Sequence, residues 1–226
     1  MTPVRATFEK RRRAKYISHL DLMRCMQRAF KRAGVPIWYT EGFNPHAYLM
    51  FPLALSLGCE SGCECMDFRI DGDMTPEEAM QRLNAVLPAD LQIVKIAEPV
   101  QKHTAIAFAD YAVMLRCADE TVKAEALRDA WDAFFAQDEI LIEKKTKRGT
   151  AMLNLKEQAQ VQTAETLPDG IRLTLRMPAG TSSNVNPSLL TDAFAAYLAA
   201  NVPDVKTRFP QTERLAILCA DGTAFC

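Results

Sequence analysis

Between residues 1 and 100 the spacing of apolar side chains switches repeatedly between a period of two and a period near 3.6, which restricts the fold more than any other feature. PVRATFEK alternates and reads as a strand. After a basic stretch, KRRRAK, the residues Leu22, Met26, Phe30 and Ala33 recur at helical spacing. Ser18 stands where an N-cap belongs, Asp21 follows three residues later as a short-armed capping box, and Gly34 is placed to end the helix. VPIWY reads as a short strand closed by the turn-rich TEGFNPH. AYLMFPLALSLG is apolar and broken by Pro52, and CECMDFRI alternates again as a strand. TPEEAMQRLNAVLP is a helix with Thr75 as N-cap and Pro76 at its first position, and LQIVKIAEPV is a strand. The order is β-α-β-β-α-β, the pattern of a ferredoxin-like domain.

The second half repeats this element order without repeating the sequence. ADYAVMLRC is a strand, and DETVKAEALRDAWDAFFAQ is an amphipathic helix with Leu127, Trp131 and Phe134 on one face. EILIEKKT, MLNLKE, AQVQTAE and GIRLTLRM are strands, and KKTKRGT is a basic turn. A helix begins at Asn186 or Pro187, and strands follow near VKTRFP and RLAILCA. The expected fold class is α+β, with tandem ferredoxin-like lobes built on antiparallel sheets. Residues 1–100 form the first lobe, with a basic first helix. Residues 105–226 form the second, with an extra hairpin, and the boundary lies near EPVQKHT.

No apolar run reaches the eighteen or so residues of a membrane helix, and no apolar stretch follows the basic N-terminal cluster as a secretory signal requires. The expectation is a cytoplasmic protein without membrane contact. Seven cysteines are then expected to be mostly reduced. Cys59, Cys63 and Cys65 form C-x3-C-x-C, but the spacing is not that of a zinc knuckle and Cys65 sits in an alternating strand, so neither metal nor cofactor is expected. No P-loop, dinucleotide fingerprint or G-x-S-x-G motif occurs.

Charge is unevenly distributed. Residues 1–50 hold ten Lys and Arg against three Asp and Glu, whereas residues 51–100 hold three against nine. Such an asymmetry fits an anion-facing patch, and it fits a solvated basic face as well. The densest constellation joins Lys15, His19, Arg24, Arg28, Lys31 and Arg32 with Tyr16, Trp38, Tyr39, Phe43 and Tyr48. Cations supply phosphate contacts, and flat side chains can stack on bases or fill a core, the core reading being preferred for Trp38. In the loop TEGFNPHAY, Gly42 permits an unusual backbone angle, Asn44 precedes Pro45, and His46 follows. The candidate ligand or phosphate contacts are Lys15, Ser18, His19, Arg24, Arg28, Asn44 and His46. His19 and His46 are also the candidate acid and base, the reading as surface or capping histidines being preferred. If the loop folds back to the helix, His46 and Asn44 meet His19 and Lys15 in one electropositive pocket. The KKTKRGT turn and the GTSSNVNP segment before a helix are weaker anion candidates.

Over residues 16–68 the chain resembles a bacterial domain-of-unknown-function family found fused to, or encoded beside, a cobalamin-type radical SAM protein. The resemblance rests on Ser18, His19, Leu20 and Asp21, on Arg28 and Ala29, on Gly42 to His46, on Leu57 and Gly58, and on Glu64 and Asp67. It implies a radical SAM protein as partner and a setting in RNA metabolism, and it imports no activity. The chain lacks the C-x3-C-x2-C motif of a radical SAM enzyme. The element order and the Gly-Phe-Asn-Pro loop also look like the CRISPR repeat-processing RAMP endonucleases, a fold-level analogy. The leading expectation is a non-catalytic RNA- or anion-binding accessory module. The alternatives are a metal-independent RAMP-like endoribonuclease and a protein-interaction subunit.

Overall fold

Alternation in the first ten residues sends Val4, Ala6 and Phe8 to one side of strand β1 (Thr2–Lys10), where all three are buried. A computed structural model describes residues 1–146 and 149–226. It divides the chain into two compact units, Met1–Ala107 with Arg214–Cys226, and Phe108–Glu213. The division differs from the expected lobes of 1–100 and 105–226 because Arg214–Cys226 returns to the first unit.

In the first unit a 3-10 turn (Arg12–Tyr16) leads from β1 to helix α1 (His19–Ala33). Strand β2 (Glu60–Ile70), helix α2 (Pro76–Asn84) and strand β3 (Leu91–Ala97) follow. Leu22, Met26 and Phe30 of α1, with Ala79 and Leu83 of α2, join Val4, Ala6, Phe8, Met66, Phe68, Ile70, Leu91 and Ile93 in one core, so both helices lie on the same face of the sheet. Phe30 meets Phe68 edge-on at 4.8 Å. Burying a side chain of this size stabilises by about 1.5–3 kcal/mol, so this core outweighs any single polar contact. β1 pairs antiparallel with both β2 and β3, and β2 has β9 (Gln211–Cys219) as its other neighbour in the sheet.

The expected strand VPIWY is reduced to isolated bridges, Ile37 with Ile70 and Tyr39 with Ala47. After Tyr39 the chain turns, closed by the Thr40 amide donating to the His46 carbonyl at 2.9 Å. The edge of β2 is then shared with Met50, which bridges Asp67, and neither segment is long enough for a continuous ladder.

In the second unit β4 (Ile106–Arg116) is followed by α3 (Ala124–Phe135), β5 (Leu141–Thr146), β6 (Gly149–Asn154), a single turn α4 (Leu155–Gln158), β7 (Gln160–Leu167), β8 (Gly170–Pro178) and α5 (Pro187–Asn201). The pairings β4 with β8 and β7 with β8 are antiparallel, and β5 with β6 forms a separate two-stranded ladder. Trp131 of α3 meets Phe194 of α5 edge-on at 5.2 Å, and both are buried. VKTRFP is not a strand, and LNLKE splits between β6 and α4. The architecture is α+β, with every described ladder register antiparallel.

Candidate functional site

The buried stripe of α1 leaves Arg24, Arg28 and Lys31 on the opposite, exposed side of the helix. The loop after Tyr39 comes back toward them. Gly42 adopts a φ of +127°, a conformation that L side chains rarely take, and the tight return carries His46 to the helix. Arg24, Gln27, Arg28, Lys31, Tyr39, His46 and Ala47 line a shallow groove of about 410 Å³. On the other flank the same three cations, with Asp21, Cys25 and Arg32, line a second depression of about 590 Å³. Arg24, Arg28 and Lys31 thus form a cationic ridge between two open hollows.

The cations of this region differ in what engages them. Arg24 meets Asp21 at 3.3 Å in an exposed pair, a contact of little energetic weight. Arg32 donates to the Val86 carbonyl at 2.7 Å. Arg28 and Lys31 have no ion-pair partner among the described residues. At His46, Nδ1 lies 3.2 Å from the Asn44 carbonyl oxygen and 3.1 Å from Thr40 Oγ1. The carbonyl can only accept, so the neutral ring that makes this bond carries its proton on Nδ1.

The other expected contacts lie elsewhere. Lys15 Nζ donates to Glu60 Oε1 at 2.8 Å, and that hydrogen bond, ahead of all other causes, holds its ammonium above the usual lysine range. Ser18 caps α1 as expected: its Oγ accepts from the Asp21 amide at 3.1 Å and donates to Asp21 Oδ2 at 2.7 Å. The Ser18 hydroxyl holds the Asp21 carboxyl below the usual range, so a carboxylate already occupies this helix N-terminus. His19 packs edge-on against Phe51 at 5.2 Å. The structure therefore brings His46 to Arg24 and Arg28, and it does not bring Lys15, Ser18 or His19 to the same groove. Asn44 contributes its carbonyl to His46.

A buried polar cluster lies on the helix-covered side of the first unit. Arg214 Nη1 donates to Glu64 Oε1 at 2.9 Å, with side-chain exposures of 2% and 4%. The same guanidinium donates to the carbonyls of Leu53 and Ala54. Lys10, 1% exposed, donates to the Ile17 carbonyl at 3.0 Å. Burial holds its ammonium below the usual lysine range, partly offset by the Glu64 carboxylate. Burial likewise pushes the nearby Cys59 thiol up to about 12. On the other side of β2, Arg5 forms a two-bonded pair with Asp67 at 2.6 and 2.9 Å, and its guanidinium lies 3.9 Å from the Phe225 ring centroid.

The motif carboxylates Glu64 and Asp67 thus hold arginines, and sequence reasoning missed their partners Arg5, Lys10 and Arg214. Lys10 left a legible signal, because it falls in the period-two register of Val4, Ala6 and Phe8, where a solvated lysine would be out of place. Cys65 is joined to Cys226 in a disulfide, and Cys25, Cys59, Cys63, Cys117 and Cys219 are free thiols. Among the described residues, no group of three His, Cys, Asp or Glu side chains comes together as a metal set. In the second unit, Lys144 of the basic turn donates to the Asn184 carbonyl at 2.9 Å, and Lys147 and Arg148 lie outside the described residues.

A family profile matches residues 4–187, about four-fifths of the chain. The chain belongs to the family described as an uncharacterized protein conserved in bacteria (DUF2344). The match spans α1, the Gly42–His46 loop and the Arg5–Asp67 pair, and it includes Glu64 but not its partner Arg214. No curated protein matches. Among solved structures, an unknown protein from Galdieria sulphuraria aligns over 94% of this chain and 96% of its own, at 12% identity and a TM-score of 0.27. No described helix is long and apolar enough to cross a membrane.

Proposed function

We propose that this DUF2344 chain is a non-catalytic RNA- or anion-binding module of the cytoplasm that works beside a radical SAM protein, the partner its sequence resemblance implies. In this reading each unit is a ferredoxin-like lobe, and the exposed side of α1 is the ligand-facing surface. The observation that carries it is the ridge of Arg24, Arg28 and Lys31 meeting His46 in an open groove, with two of the three cations outside any described ion pair. The endoribonuclease alternative draws less support, because His19 and His46 line different places and an acid–base pair needs a shared substrate atom.

Replacing Arg28 and Lys31 together by Ala tests the reading. Each exposed cation contributes roughly 1 kcal/mol or less, so RNA affinity at low salt should fall roughly tenfold. Its logarithmic salt slope should flatten by roughly 1.4, at about 0.7 per single-strand phosphate contact. Fluorescence polarization with a labelled oligonucleotide reads both quantities, and circular dichroism checks the fold. A wild-type protein that binds no RNA at low salt would replace this reading with that of a protein-interaction subunit.

A further inference from the structure

The groove beside α1 has an apolar rim. The loop closed by Thr40 and His46 projects a tip, Glu41 to Pro45, whose residues are all exposed. At that tip Phe43 is fully exposed, at 111%, three residues from the groove-lining His46. Tyr39, at the base of the same loop, is 51% exposed and lines the groove itself. An aromatic ring held entirely in water forgoes the burial that most phenylalanines reach, and Gly42 with its positive φ sets the turn that holds it there. The surface therefore combines cations along a helix with a flat apolar group at one edge.

Resting on the RNA-binding reading above, we infer that the ligand of this groove is a single-stranded segment, with phosphates along Arg24, Arg28 and Lys31 and an unpaired base stacked on Phe43. A duplex hides its base faces inside the stack, leaving Phe43 nothing to cover, whereas a single strand exposes them. The lengths agree. Arg24 to Lys31 spans about 10 Å along the helix at 1.5 Å per residue. A stacked strand advances about 3.4 Å per phosphate and an unstacked one more, so about two or three phosphates lie along the ridge. The acids nearby are Asp21, tied to Ser18 and Arg24, and Glu41 on the loop tip, against three ridge cations.

The test measures the full chain by fluorescence polarization against a twelve-nucleotide single-stranded RNA, the same sequence as DNA, the same sequence as an RNA duplex, and a poly-glutamate peptide. The expected result is single-strand binding roughly tenfold or more tighter than duplex binding. Phe43→Ala should weaken the single-strand complex by roughly fivefold to a hundredfold, the effect of losing one base–aromatic stack, and leave the duplex complex unchanged. RNA bound more tightly than DNA supports ribose recognition alongside stacking, and equal binding supports stacking and phosphate contact alone; both agree with the inference. Equal affinity for duplex and single strand, or no effect of Phe43→Ala, overturns the single-strand inference while leaving RNA binding intact. Binding of poly-glutamate with no binding of any nucleic acid overturns both readings. Because Phe43 is wholly exposed, its replacement leaves the core untouched, and an unchanged circular dichroism spectrum confirms this.

Discussion

Glu64 and Asp67 lie three positions apart on β2, face opposite sides of it, and each holds an arginine. The environments differ in consequence. The Arg214–Glu64 pair is almost wholly buried, so each charge depends on the other for the solvation it has lost. Arg214→Met should destabilise the protein by about 3–5 kcal/mol in urea denaturation, because it strands the Glu64 carboxylate and removes a donor from two carbonyls. The double replacement Arg214→Met/Glu64→Leu should recover much of that loss; a double variant as unstable as the sum of the singles would show the two residues to be uncoupled. Cys59, in the same cluster, titrates near 12 because of its burial, above its ordinary value near 9. The folded state therefore keeps this proton where the unfolded chain releases it. The stability this contributes is complete below pH 9 and is lost as pH rises through 12. Native Cys59 should stay unalkylated by iodoacetamide at pH 9 while the partly exposed Cys25 reacts, as peptide mass mapping would show.

At the scale of elements, α1 and the loop after it make the candidate surface, and the strands hold them in place. The helix is delimited by Ser18 and Gly34, both local signals. The second unit depends on a different kind of local requirement. Gly170 opens β8 opposite Arg116 of β4, and a Cβ there would stand 2.0 Å from the Leu115 carbonyl oxygen. Both neighbours are backbone in an antiparallel ladder and cannot swing aside. Gly170→Ala should cost roughly 1–3 kcal/mol, the range for overpacking, measured as a lower urea midpoint at unchanged slope. An unchanged midpoint would mean that the ladder relaxes at this end.

At the scale of the whole molecule, the Cys65–Cys226 disulfide closes a loop with a sequence separation of 161. It ties the last residue of the chain beside Phe225, which lies under Arg5 and is buried. Reduction should lower stability by about 2–5 kcal/mol, since the cross-link restricts the unfolded chain over a long loop. Melting curves with and without dithiothreitol should differ for the wild type and coincide for Cys226→Ser. An intact mass that does not rise by two hydrogens on reduction would show that the pair is not joined in the protein.

The local parts of this molecule were legible in the sequence because they depend on neighbours a few positions away. Helical and two-residue periods located α1, α2, α3, β1 and β2; Ser18, Thr75 and Asn186 marked helix starts; Gly42 marked the sharp loop. The short strand at VPIWY was misjudged because a ladder needs a partner as well as a pattern, and β2 shares that edge among several segments. The site was legible as a set of residue types and not as a set of contacts. Which cations meet His46, and which are taken up by Glu60 or Val86, depends on how the loop returns to the helix. Arg5 with Asp67, Arg214 with Glu64 and Cys65 with Cys226 are separated by 62, 150 and 161 positions. No periodicity spans such distances. Only chain folding brings these groups together, and for the two ion pairs the loss of water around them then decides that they must pair.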